Sequence, residues 1–208
     1  MSFELAVWHE PEPITAERAA EVLRALREGD AQAVRPHPGV AEFTVAFATA
    51  FPEVVIPEDS QAYALLTVDL ERSDEVAGEA FALARECGLV CYDPQRGLVH
   101  NLAPLGAYPG MQLRTGDGMI VVDPDLRLVG DAVATMSPRN PFTALVVFGE
   151  HFVQSSPEIT GYELEYKDSV RDVMVRTHVP EIGAVREAFV EYAEGGRSFL
   201  ERHDWRRV

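Results

Sequence analysis

The sequence predicts an α+β fold, and three observations carry the prediction. Through residue 102 the pattern alternates short strands with amphipathic helices in the order β-α-α-β-α-β-β. That order suggests a ferredoxin-like sheet with helices on one side. From residue 111 onward closely spaced hairpin patterns dominate, and they predict an antiparallel, hairpin-rich sheet closed by one helix. A change of composition over 101–110 separates the two styles. It divides the chain into a helix-rich part, 1–103, and a strand-rich part with a C-terminal helix, 104–208, either as two domains or as one continuous domain.

Each element has a local reason. Phe3 to Trp8 reads as an alternating strand ended by Pro11 and Pro13, and Thr15 is a good N-cap for the helix that follows. Ala19, Val22, Leu23 and Leu26 form one apolar face of that helix, and Gly29 stops it. Pro36 and Pro38 break the next stretch into a loop. A second helix then carries Val40, Phe43, Phe47 and Phe51 on one side and closes at Pro52. After a turn at Pro57-Glu58-Asp59-Ser60, Tyr63 to Leu70 reads as a strand. Ser73 is expected to cap a third helix with the stripe Val76, Ala80, Leu83 and Cys87, ended by Gly88. Leu89–Tyr92 and Leu98–Leu102 are strands flanking a turn at 93–97.

In the second half, Met111–Arg114 and Met119–Val122 flank Thr115-Gly116-Asp117-Gly118. Val121-Val122 and Leu126–Val129 are expected to flank Asp123-Pro124-Asp125 as a further hairpin. Leu145–Phe148 and Phe152–Gln154 flank Gly149-Glu150. Tyr162, Leu164 and Tyr166 alternate with Glu163, Glu165 and Lys167, the clearest half-buried strand in the chain. Asp168–Val170 turns into a strand at 172–179. Pro180 precedes a last helix with Ile182, Val185, Phe189 and Tyr192 on one face.

Charge narrows the functional classes. Acidic residues number 34 against 18 Lys and Arg, a formal charge of −16 in 208 residues. Such a surface repels nucleic acid and anionic membranes and attracts basic partners. Residues 1–100 hold 18 acids and 7 bases, whereas 101–208 hold 16 and 11. Arg197, Arg202, Arg206 and Arg207 make the C-terminal tail locally basic, and it is expected to dock on the acidic half. No apolar run is long enough to span a membrane, and no secretory leader is recognisable. The two cysteines are too few for a disulfide scaffold, so a cytoplasmic location is expected.

Familiar catalytic signatures are absent. There is no G-x-S-x-G elbow, no Gly-rich phosphate loop ending in Lys-Ser or Lys-Thr, and no paired-histidine metal motif. Cys87 and Cys91 at C-x3-C spacing read as a redox pair or half a metal site with His100, or as two small apolar residues. The second reading is preferred because no further ligand pair accompanies them. Asp123 and Asp125, with Asp117 and Asp131 nearby, read better as turn residues than as a cation loop. Of six scattered histidines, His151 and His178 fall in or beside strands of the second half, where they are candidates for a shared acid–base role. No cofactor or metal is expected. Glu163, Glu165, Asp168 and Asp172 form an expected acidic ridge, a docking surface for a basic partner or a solvated face.

Two segments resemble known bacterial sequences. Cys87-Gly88-Leu89-Val90-Cys91-Tyr92-Asp93-Pro94-Gln95, with the opening strand Phe3–Trp8, resembles a group of uncharacterised bacterial proteins. His151-Phe152-Val153-Gln154, Gly161 to Asp168 and the Trp205-Arg206 ending resemble small immunity-type proteins encoded beside polymorphic toxins. The resemblance implies a protein-binding role and supplies no catalytic residue. The expected function is therefore a non-enzymatic, acidic, immunity-like module that covers a basic protein partner. An enzyme with an unrecognised hydrolase or transferase site in the groove between the halves is the alternative. Self-association through a sheet edge into a homodimer is a third reading.

Overall fold

Strand β1 (Ser2–Trp8) organises the first of two compact units, Met1–Ala103 and Pro104–Val208. The structure is a computed structural model that describes residues 2–54, 56, 60–102, 106–147 and 151–208. The expected turn at Pro57–Asp59 and the hairpin turn at Gly149-Glu150 lie outside the described residues. β1 pairs antiparallel with β2 (Tyr63–Asp69) and with β3 (Val90–Asp93). β4 (Leu98–His100) completes the order β2-β1-β3-β4.

Leu5, Ala6, Val7 and Trp8 are buried one after another, so both faces of β1 are covered. Ala6 and Trp8, with Tyr63, Val90, Tyr92 and Val99 from neighbouring strands, pack on Ala19, Val22, Leu23 and Leu26 of α1 (Ala16–Arg27). Val7, Cys91 and His100 share the opposite face by register. There the Phe81 ring of α3 (Ser73–Glu86) stacks on His100, with 3.5 Å between ring centroids. α2 (Pro38–Ala50) packs beside α3. The α+β class is therefore present, but the ferredoxin-like sheet with helices on one side is corrected to a sheet with helices on both faces. Its elements also run β-α-α-β-α-β-β rather than β-α-β-β-α-β. The unbroken apolar run Leu5–Trp8 is the physical reason, because it has two faces to bury.

Local signals set the joints of this unit. The Thr15 side chain accepts from the Arg18 amide at 3.2 Å and caps α1. The Asn101 side chain both accepts from the Ile14 amide (2.8 Å) and donates to the Ile14 carbonyl (3.1 Å), closing the loop that leads into α1. α2 starts earlier than the proline-rich sequence suggests. Pro38 occupies its first position, and the ring of His37 accepts from the Gly39 amide at 3.2 Å. Gly39 is needed there, since a Cβ at this position would overlap the Cys87 carbonyl oxygen at the end of α3. Ser73 is the first residue of α3 rather than its cap, and its hydroxyl donates to the Leu70 carbonyl at 2.8 Å.

The second unit is a seven-stranded antiparallel sheet. Its strands are β5 (Gln112–Thr115), β6 (Ile120–Val122), β7 (Thr143–Val147), β8 (His151–Glu158), β9 (Gly161–Asp168), β10 (Val173–Val179) and β11 (Arg206–Arg207). They lie in the order β11-β10-β9-β8-β7-β5-β6. Leu113, Leu145, Val153 and Leu164 point inward together. The helices α4 (Leu126–Ala134) and α5 (Ile182–Ala193) supply the rest of this core through Leu128, Val129, Ala132, Val133, Val185, Ala188, Phe189 and Tyr192. Two helices, not one, therefore belong to this unit. The hairpin expected at 121–129 is corrected to a strand followed by α4. Asp125 caps that helix by accepting from the Leu128 amide at 3.0 Å, and the apolar spacing 128, 129, 132, 133 is helical.

The basic tail is held within its own unit. β11 pairs with β10 through Arg206 and Arg207, and Arg202 forms a 2.6 Å ion pair with Glu191. The Arg197 guanidinium lies over the Tyr192 ring at 4.2 Å and faces Tyr108 and Tyr166 at 5.6 and 5.7 Å. It donates to the hydroxyls of Tyr108 (2.9 Å) and Tyr166 (3.3 Å). Replacing Asp125 with Ala removes the α4 cap. The substitution is expected to lower unfolding free energy by about 1 kcal/mol in urea denaturation. An unchanged midpoint would mean that the cap is not used.

Candidate functional site

The four acids expected to form one ridge are sorted by the alternation of β9. Glu163 and Glu165 project to the outer face of the sheet, whereas Asp168 shares the inward parity of Leu164 and Tyr166. Asp172 sits in the β9–β10 turn with a φ of 51°. Three of the four carboxylates also have a cation. Glu163 lies 3.5 Å from Arg176, Asp168 lies 3.5 Å from His151 and 3.7 Å from Arg171, and Asp172 lies 3.4 Å from Arg207. Glu165 accepts from the Gln154 amide nitrogen at 3.3 Å, and partial burial, reinforced by Glu163, raises its carboxyl above the usual range. Glu163 and Glu165 are thus brought together on one face. Asp168 and Asp172 are not on it.

His151 and His178 do not converge. His178 stands opposite Glu163 near the start of β9 and bonds Glu158 at 2.6 Å, while His151 stands beside Asp168 at the end of the same strand. Cys87 and Cys91 are free thiols, and burial pushes both upward, so neither has the character of an activated nucleophile. Asp123 accepts from the Gly110 amide at 2.6 Å, Asp117 accepts from the Thr115 hydroxyl, and Asp131 pairs with Arg186 at 3.3 Å. Among the described residues no group of three or more His, Cys, Asp or Glu is arranged to hold a metal. Among them too, no helix is long and apolar enough to cross a membrane.

A different constellation lies in the first unit, where the end of β1, the start of α2 and the end of α3 meet. The His9 and His37 rings stack at 4.0 Å and within 7° of parallel. His9 Nδ1 lies 3.1 Å from the Gly88 carbonyl oxygen, and His37 Nδ1 accepts from the Gly39 amide. The Cys87 thiol at the end of α3 is held protonated by burial and by the exposed carboxylates Glu42 and Glu86. Glu79 lies seven residues before Glu86, so the two share one side of α3. Glu42, Glu79 and Glu86 are exposed, and none has a cation at ion-pair distance among the described residues. By contrast, Arg18, Arg27, Arg72 and Arg96 are tied to Glu21, Glu4, Glu53 with Glu75, and Asp93. This unit therefore presents a surplus of unbalanced carboxylates on its helices. The sequence signal that could have located it is His37 between two prolines just ahead of Gly39, an arrangement of an N-cap with Pro at the first position.

Behind this surface, His100 is buried with both ring nitrogens unpartnered. Burial, assisted by Arg96 and Arg85, pushes its pKa down to about 3. The unfolded chain takes up the proton near the ordinary value of about 6.5, while the folded chain resists until far lower pH. Stability contributed by the neutral ring is thus complete above about pH 6.5 and is lost as pH falls through the window toward 3. His100→Phe, which keeps the stack on Phe81, is expected to flatten that part of the stability–pH curve by about one proton. An unaltered slope would show that His100 is not the responsible group. Comparison with known proteins offers no guide to this surface: no protein-family model, no curated protein and no solved structure matches the chain.

Proposed function

We propose that the protein is a non-enzymatic, acidic, immunity-like binding module that covers a basic protein partner, such as the cationic active site of a nuclease toxin. The docking surface in this reading is the outer side of α2 and α3 in the first unit. The carrying observation is the contrast in charge balance. Glu42, Glu79 and Glu86 are exposed without cations, whereas Glu163, Asp168 and Asp172 are each matched by Arg or His. A carboxylate already paired has little left to offer an incoming lysine or arginine, while an unpaired one accelerates encounter and rewards a matching charge. The local resemblance to immunity-type sequences supports the same reading.

The test is binding to purified basic proteins encoded by neighbouring genes, measured in about 50 and about 300 mM salt. Binding is expected to weaken strongly at the higher concentration. Exchanging Glu42, Glu79 and Glu86 together for Gln should reduce affinity about ten-fold or more, at up to about 1 kcal/mol per exposed pair. Exchanging Glu163 and Asp172 should leave it unchanged. Salt-insensitive binding, or full affinity in the triple variant, would overturn the proposal.

A further inference from the structure

We propose that the outer face of the seven-stranded sheet is the contact surface of a homodimer, with a second copy of the chain packed face to face on it. The surface belongs to the second unit and shares no residue with α2 or α3. Leu113, Leu145, Val153 and Leu164 turn toward α4 and α5. On the same side the Thr143 hydroxyl donates to the Ala132 carbonyl of α4 at 3.5 Å. Among the described residues this unit therefore brings no α-helix to the outer face, where the alternate residues stand.

Those residues form two rows across the strands. One row runs Val122, Gln112, Val146, Phe152, Lys167, Met174. The other, two residues away along each strand, runs Ile120, Arg114, Ala144, Gln154, Glu165, Arg176. Ile120 and Val122 are 51% and 46% exposed, and Val146, Phe152 and Met174 are partly exposed. An open apolar stripe of this kind marks a contact site. The rows also say what covers it. A two-fold axis lying across the strands, midway between the rows, lays each row on the other row of the second copy. Val122 then meets Ile120, Val146 meets the small Ala144, and Lys167 meets Glu165, each pair formed twice. These two charges are the ones left over within the chain. Lys167 has no hydrogen-bond or ion-pair partner among the described residues. Glu165 accepts from Gln154 at 3.3 Å but has no cation at ion-pair distance there, because Arg176, which stands opposite it, lies 3.5 Å from Glu163. A face carrying both signs in this order is complementary to itself. Seven strands, about 4.8 Å apart and about 17 Å long, offer a footprint of roughly 500 Å² per copy, the lower end of specific interfaces. The dimer is therefore one that dissociates on dilution.

Sedimentation equilibrium of the full chain, over about a hundred-fold range of concentration, tests the proposal. A reversible monomer–dimer equilibrium is expected. Lys167→Glu alone, or Glu165→Lys alone, places like charges together twice and should raise the dissociation constant about ten-fold or more. The double exchange restores both pairs in reverse and should recover the parent constant to within about two-fold. Phe152→Ser should weaken the dimer at least as much as a single reversal, and Arg171→Gln, exposed in the β9–β10 turn, should leave it unchanged. These two decide the matter should Glu165→Lys, opposite Arg176, fail to fold. A monomer at every concentration, a dimer indifferent to Lys167→Glu and Phe152→Ser, or a folded double variant that stays monomeric would overturn the proposal.

Discussion

Strand alternation is the constraint on which most of the second unit depends. Because side chains along an antiparallel strand point to opposite faces in turn, one register decides every neighbour at once. In β9 it sends Leu164 and Tyr166 into the core and Glu163 and Glu165 outward. The same register puts Val175 and Thr177 of β10 on the core side and Arg176 and His178 on the other. A slip of one residue would bury Glu165 and expose Tyr166, so the aromatic packing that holds Tyr166 against Tyr192 and Phe199 fixes where the charges stand. The Arg197 guanidinium locks this arrangement, because it joins tyrosines from the segment before β5, from β9 and from α5.

Much of this was legible in the sequence. The alternation of Tyr162–Lys167, the Thr15 cap and the helix-ending glycines Gly29 and Gly88, with φ of 88° and 71°, all do what local chemistry predicts. The failures have specific causes. Asp123-Pro124-Asp125 is a good turn former and also a good helix entry, and only tertiary packing on α5 decides for α4. The Phe3–Trp8 segment contains both an alternating start and a continuous apolar end, and the end, which needs cover on two sides, prevails. The stacked pair of His9 and His37 was not visible, since it joins residues 28 positions apart through a loop and a helix cap.

The placement of charge shows why composition alone misleads. The second half carries 16 acids and 11 bases, yet register and turn geometry pair many of them off. The first half carries only 7 bases, and Arg18, Arg27, Arg72 and Arg96 are already committed to ion pairs among the described residues. Apart from Arg96–Asp93, whose carboxylate is buried, the first-half pairs are exposed and contribute little to stability. Their consequence is electrostatic: they decide which carboxylates still project an uncompensated field.

The contact at Gly39 bears on how that field is presented. With no side chain at 39, the start of α2 lies directly against the Cys87 carbonyl, main chain on main chain. No rotamer can absorb a change in their separation. The gap between the stems of Glu42 and Glu86 is therefore set like the jaws of a fixed calliper, and a counterpart gripping both would spend little ordering entropy on the backbone that carries them.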